Sequence, residues 1–253
     1  MHSPRVVLVV QARMGSRRLP NKSMLKLAGE PLVGRILERL QRCQEVDEIV
    51  LATPSSTEND DLSALALRWS VRSIRGSEDD VLGRFVQAAK MSRADLVVRF
   101  PGDNPAPEPS EIDKIVIHHR ARSERGFSTN ICSIHGSGYP QGIGAEVFDA
   151  ELLLEAVARQ PTAIQREHVH RNFFDYASES EVDAEWCPVQ TVPCPPDFRR
   201  PDIRLDVNTD AEYQLMKDLY ADLYTANPCF SIHDIVSWWD EYVARAEASA
   251  DSK

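Results

Sequence analysis

The sequence predicts an α/β fold, a mostly parallel central sheet with helices on both faces. Three observations carry this. Short apolar runs alternate with amphipathic segments through the first 122 residues. The connections between them are short, as in strand–helix–strand units. The run "RVVLVV" (5–10) has no polar alternation, which is how a strand buried on both faces reads.

The elements follow in order. After "RVVLVV" comes "PLVGRILERLQRC" (31–43), with Leu32, Val33, Ile36, Leu37 and Leu40 on one helical stripe and Pro31 near the start. "EIVLAT" (48–53) is a strand, "ENDDLSALALRWS" (58–70) a helix and "VRSI" (71–74) a short strand. "DDVLGRFVQAAKM" (79–91) is a helix, "DLVVRF" (95–100) a strand and "PSEIDKIVIHHRAR" (109–122) a helix. Strands at 127–134, 144–149, 187–192 and 203–208 follow, with helices at 150–160, 165–179, 210–224 and 231–242. The Pro-rich stretch 192–202 excludes a central strand or helix interior there. We expect one domain over 1–253, with a less regular elaboration at about 126–202.

The bulk chemistry narrows the function. The chain has 253 residues and a net charge of −10, which argues against nucleic acid or an acidic membrane as partner. No run approaches the roughly 20 apolar residues of a membrane span, and the N-terminus lacks signal-peptide features. These features point to a cytoplasmic protein. Five scattered cysteines form no CxxC pair, so reduced thiols are expected.

On this acidic body "QARMGSRRLPNK" (11–22) is a local exception, placed at the carboxyl end of the first strand. Ligands of open parallel sheets bind at that end. Neither a Walker loop nor GxGxxG is present. Instead Gly15 and Ser16 are expected to form a main-chain anion nest, with Arg13, Arg18 and Lys22 adding charge. Asp103 in "FPGDNP" closes the fourth strand, where a magnesium carboxylate would be wanted, although a plain turn explains it too. Asp206 in "RLDVNTDAE" could complete a two-aspartate site, or pair with Arg204. "QREHVHRN" sets Arg166 against His170 and Glu167 against Arg171 at helical spacing, with His168 between. No GxSxG elbow and no HxxxH pattern occur, which disfavours serine acyl transfer and zinc hydrolysis.

The ordered set "VVQARMGSRRLPNKSM", "RGSEDDVLGRF", "VVRFPGDNP", "GAEVF", "REHV" and "RLDVNTDAE" resembles the cytidylyltransferases of the spore-coat polysaccharide biosynthesis type, relatives of the CMP-Kdo and CMP-acylneuraminate synthetases. The resemblance runs over about residues 5–224 and implies a glycosyltransferase-A-like, Rossmann-like nucleotidyltransferase fold. It implies a Mg2+-dependent transfer of CMP from CTP to a small anionic acceptor, with pyrophosphate released and a homodimer as the working unit. By position it puts Gln11, Ala12, Arg13, Gly15, Ser16, Arg18, Lys22, Ser77, Asp80, Arg99 and Gly102 around the nucleotide. It gives Lys22, Arg13 and Asp103 the catalytic roles, and Asp103 and Asp206 the metal. Gly142, Glu146, Arg166, Glu167 and His168 fall on the acceptor side.

Departures from the family pattern bear on the acceptor. Relatives read "PDGLDVEVF" where this chain has "PQGIGAEVF", so Gln141 and Gly144 replace two acids. Losing two negative charges suits a more strongly anionic acceptor: a sugar acid, phosphonate or phosphate monoester. "GDNP" stands for "GDCP" and "DVNTD" for "DTPED", with the metal carboxylates kept. Two alternatives stay open. One is a glycosyltransferase of the same fold, though its DxD pattern is missing from "GDNP". The other is a noncatalytic nucleotide-binding regulator.

Overall fold

The computed structural model describes residues 3–131, 136–175 and 178–250. Seven strands make the central sheet: β1 (Val6–Gln11), β2 (Glu48–Pro54), β3 (Arg72–Gly76), β4 (Leu96–Pro101), β5 (Phe127–Thr129), β6 (Glu146–Asp149) and β7 (Val189–Thr191). Their order is β7-β5-β6-β4-β1-β2-β3. β1 lies between β2 and β4, parallel to both, and β3 is parallel to β2. β6 runs antiparallel to β4 and β5. The sheet is therefore mostly parallel, as expected.

The continuous apolar run of β1 is explained by two cores. Val6, Leu8 and Val10 enter one, Val7 and Val9 the other, because successive strand side chains point to opposite faces. Helices α1 (Leu32–Leu40), α2 (Asp60–Arg68) and α4 (Pro109–Arg120) add residues to the first core. α3 (Val81–Ser92) and α5 (Ala150–Ala158) add residues to the second. Phe127, Phe148 and Phe173 stack within that second core, with ring centroids 5.3–6.0 Å apart. The segment expected as an elaboration thus supplies three strands of the same sheet.

Two predicted elements differ. The helix expected over 165–179 is broken. α6 (Ala163–Glu167) is a single capped turn, with Thr162 and Gln165 forming a capping box. A 3-10 turn (Val169–Asn172) follows, then a strand Phe174–Asp175 paired with Ser180–Glu181. Asn172 Nδ2 donates to the Gln165 and Val169 carbonyls, and Phe174 enters a strand pair with Glu181 instead of continuing a helix. The i,i+4 spacing read into "QREHVHRN" does not exist.

The strand expected over 203–208 is not in the sheet. Ile203, Leu205 and Val207 are buried, but β6 fills the place beside β4. The segment instead crosses the carboxyl ends of the strands. Gln141 N donates to Ile203 O, Leu205 N to Gln141 O, and Val207 N to Asp103 O, at 2.8–2.9 Å. α7 (Asp210–Leu219) starts from a second capping box, Thr209 with Glu212, and α8 (Ile232–Ala250) closes the described chain. The expected strand 127–134 is confirmed over Phe127–Thr129; residues 132–135, Cys132 included, lie outside the described residues.

Candidate active site

The two loops the sequence singled out meet at the carboxyl edge of the sheet. β1 and β4 are neighbours in register, Gln11 opposite Pro101, so their loops leave side by side. Gly102 N donates to Gln11 O at 2.8 Å. A Cβ on Gly102 would stand 2.4 Å from that same oxygen, so only glycine permits the close approach. Asp103 is thereby held over the end of β1.

Lys22 ties the edge together. Its Nζ donates to Asp103 Oδ2 (2.9 Å), to Val207 O (2.9 Å) and to Asn208 Oδ1 (3.3 Å). Asn208 Oδ1 also accepts from Arg18 Nη2 (2.8 Å), while its Nδ2 donates to Asp206 Oδ2 (2.6 Å). Asp103, Lys22, Asn208 and Asp206 therefore form one connected chain of side chains from three distant parts of the sequence. Burial pushes the Asp206 carboxyl above the usual aspartate range; Arg204 opposes this, and Glu212 and Asp103 add to it. Asp206 Oδ1 is buried without a hydrogen-bond partner, with Arg204 Nε 3.7 Å away.

A cleft of about 550 Å3 opens beside this cluster. Of the expected site residues, Gln11, Ala12, Arg13, Gly15, Ser16, Arg18, Lys22, Gly102, Asp103, Glu167 and His168 line it. Arg17, Ser23, Glu78, Asp79, Val81, Arg84 and Asn208 line it as well. Arg13 faces two carboxylates across the opening, Glu78 at 3.7 Å and Glu167 at 3.3 Å. The expected nest is only partly formed. Ser16 N donates to Met14 O at 2.8 Å and so does not face a ligand, and Gly15 is not among the positive-φ residues.

The other expected site residues are not among those that line the cleft. Arg99 and Glu146 are a buried pair, Nη1 to Oε2 at 2.6 Å, and Arg99 Nε donates to Gln11 Oε1 at 3.2 Å. The sheet imposes the pairing, because the two stand opposite each other on β4 and β6. His170 Nδ1 lies 3.9 Å from Glu146 Oε1. Burial, with Arg99 adding to it, holds the His170 ring well below the usual histidine range, and burial lowers His168 too. Arg166 is drawn to Asp80, at 3.2 Å, rather than along its own helix to His170. Asp80 also caps α3, accepting from Gly83 N. Gly142 sits at φ 100°, where a Cβ would press on Asp206 N at 3.1 Å, so it lets the 203–208 segment pack down. Ser77 lies in the β3–α3 turn, where its carbonyl accepts from Arg84 Nη1.

Glu78 lies in the segment 75–82 that the resemblance put at the nucleotide pocket, whereas Asn208 and Arg84 were not foreseen. Asn208 stands two residues from Asp206 in a quoted motif, and Arg84 ends "GSEDDVLGR"; position in a motif was the signal, but neither spacing reveals the partner.

The cytidylyltransferase family profile matches residues 7–226. An uncharacterised protein of Methanocaldococcus jannaschii is 32% identical over 216 residues, covering 85% of this chain and 83% of its own. The spore coat polysaccharide biosynthesis protein SpsF of Bacillus subtilis is 30% identical over 221 residues, covering 85% and 86%. The solved cytidylyltransferase of Leptospira borgpetersenii superposes with a TM-score of 0.84 at 25% identity, over 96% of both chains. The match begins in β1 and ends beyond α7, taking in every segment that builds the cleft, and the chain belongs to the cytidylyltransferase family of nucleotidyltransferases.

Proposed function

We propose that this chain transfers CMP from CTP to an already ionised acceptor, a sugar acid, phosphonate or phosphate monoester, and releases pyrophosphate. The observation that carries this reading is the Lys22 ammonium held 2.9 Å from Asp103 beside the arginine-rich loop. That arrangement suits a triphosphate whose tail lies along Arg13 and Arg18. An acceptor oxygen bonds to the α-phosphorus, the bond to the bridging oxygen of the β-phosphate breaks, and that oxygen keeps the electron pair. Arg13, Arg18 and Lys22 stabilise the charge gathering on the departing pyrophosphate. Fixed charge aimed at such an atom is commonly the largest catalytic contribution.

A divalent cation fits the residues present. Asp103 and Asp206 offer carboxylate oxygens, Asn208 an amide oxygen, and Asp206 Oδ1 is buried without a hydrogen-bond partner. Among the described residues no group of three or more His, Cys, Asp or Glu could hold a metal. Magnesium suits a site of one or two carboxylates completed by substrate oxygens and water. When bound, it supplies positive charge next to the phosphates.

The acceptor side supports an ionised substrate. A hydroxyl acceptor must lose a proton, but Glu146 is fully buried against Arg99 and does not line the cleft. An ionised oxygen needs only placement. His168 lines the cleft, with burial lowering its pKa, and a ring N–H there can donate to an ionised acceptor oxygen. The reading includes a cytoplasmic homodimer; Leu154, Val157, Ile164 and Val182 expose apolar surface that a second copy would cover. No helix among the described residues is long and apolar enough to cross a membrane.

Pyrophosphate release tests the reading. With CTP and Mg2+, sugar acids, phosphonates or phosphate monoesters are expected to drive release and neutral sugars are not. Turnover with neutral sugars alone would contradict the ionised acceptor. Free nucleoside diphosphate from a nucleotide sugar would identify a glycosyltransferase. CTP binding without turnover across the panel would leave a regulator.

A further inference from the structure

Arg204 is an exposed cation with only a loose partner. Its side chain is 59% exposed, and its Nε lies 3.7 Å from Asp206 Oδ1. Among the described residues its guanidinium makes no hydrogen bond. The nearby Arg200, by contrast, is held by Asp202 at 2.8 Å and by Asp240 at 2.6 Å. Glu212, whose carboxylate accepts from Asn208 N and Thr209 N, attracts Arg204 only from beyond ion-pair distance. Gln141 stands beside Arg204. The two are partners in a parallel bridge, in which Gln141 N donates to Ile203 O and Leu205 N to Gln141 O. Bridge partners sit about 4.8 Å apart with their side chains on one face. An acid at 141 would pair with Arg204, whereas the neutral Gln141 leaves that charge to a ligand. Position 141 is one of the two at which this chain lacks an acid of the related pattern.

The segment 203–208 also fixes which end of the site Arg204 occupies. Asp206 Oδ2 accepts from Asn208 Nδ2, and Asn208 Oδ1 accepts from Lys22 and Arg18 of the phosphate loop. The other oxygen, Asp206 Oδ1, is the one next to Arg204. Four residues of extended chain put Arg204 and Asn208 about 13 Å apart. A row therefore runs from the loop cations, through the aspartates that fit a cation, to Arg204. In-line displacement puts the entering and leaving oxygens on opposite sides of the phosphorus. With pyrophosphate at Arg18 and Lys22, the acceptor comes in from the Arg204 end. Arg204 is not among the residues that line the cleft, so the nucleotide does not use it.

Resting on the transfer proposed above, we infer that Arg204, beside the neutral Gln141, is the acceptor-specificity residue, and that it selects the PO3 head shared by phosphonates and phosphate monoesters. The planar guanidinium fork spans two oxygens of an anion. A PO3 head has three, so two are held while the third bonds to the α-phosphorus. The bridging oxygen leaves with its electron pair on pyrophosphate, and no proton has to be removed. A carboxylate gripped in the same way has no oxygen left to attack. A sugar hydroxyl beside such a carboxylate would need a base.

The test is calorimetric binding of methylphosphonate, glycerol 3-phosphate and gluconate to the full chain saturated with Mg2+ and α,β-methylene-CTP, in which the bond to be broken is blocked. The wild-type protein is expected to bind methylphosphonate or glycerol 3-phosphate at least about tenfold more tightly than gluconate. The tighter of the two tells whether a phosphonate or an ester is taken. In Arg204→Gln that preference should disappear, while affinity for the CTP analogue stays within about threefold. Gln141→Glu keeps Arg204 but sets an acid beside it, and should lose the preference too. A preference that survives either variant, gluconate bound as tightly as the other two, or a wild-type protein that takes up none of the three overturns the inference and leaves the CTP reading intact. A wild-type protein that does not bind the CTP analogue overturns the CTP reading and this inference with it. Should Arg204→Gln fail to fold, Gln141→Glu decides alone.

Discussion

Asp103→Ala is expected to lower turnover by at least about 100-fold at saturating CTP, the scale on which a key electrostatic group is lost. Asp103 is one of the two carboxylates that fit the cation, and it holds Lys22 through a 2.9 Å ion pair. Removing it takes away an oxygen ligand of the proposed cation and releases Lys22 from one of its three hydrogen bonds. The remaining two, to Val207 O and Asn208 Oδ1, keep the ammonium near the loop. Stability should change little, because the Asp103 side chain is partly exposed, and such pairs contribute on the order of 1 kcal/mol or less. Steady-state rates beside a thermal melt separate the two effects. Turnover near the wild-type value would remove Asp103 from the reaction.

Glu146→Gln should instead destabilise the fold, by about 3 kcal/mol. Glu146 is fully buried and its carboxylate is 2.6 Å from the Arg99 guanidinium, itself 5% exposed. Deleting one charge of a buried pair costs more than the pair contributes, since the other charge stays out of water. The double variant Glu146→Gln with Arg99→Met should recover most of the loss, because neither charge then remains. Urea titration measures both. A loss under about 1 kcal/mol for the single variant would mean that water reaches the pair. The cleft is affected as well, since Gln11 both lines it and accepts from Arg99.

The first half of the fold was legible because its strands are buried on both faces and its helices carry one apolar stripe. β1, β2, β3 and β4 each begin or end within two residues of the runs that predicted them. The second half was harder for a definite reason. Ile203, Leu205 and Val207 alternate as in a strand and are buried as in one, but alternation does not say whether a neighbouring strand is free to pair. Between 165 and 179 the polar i,i+4 spacing suited a helix, while the Asn172 side-chain bonds to the Gln165 and Val169 carbonyls and the pairing of Phe174 with Glu181 end it.

The site divides in the same way. That Arg13, Arg18, Lys22 and Asp103 gather at one cleft was legible because both loops leave the carboxyl ends of buried strands. Asn208 was not, since its value lies in contacts with Arg18 and Lys22, which are 190 and 186 residues away in sequence. The anion nest failed at Ser16 for a local reason: Met14 O took the amide first.

The most direct measurement is a crystal of the protein grown with CTP and Mn2+, read by anomalous scattering from the manganese. One strong peak is expected in contact with the Asp103 carboxylate, on the side facing Asp206 and Asn208, with the phosphate tail along Arg13 and Arg18. A peak remote from both aspartates, or a triphosphate lying away from residues 11–22, would contradict it.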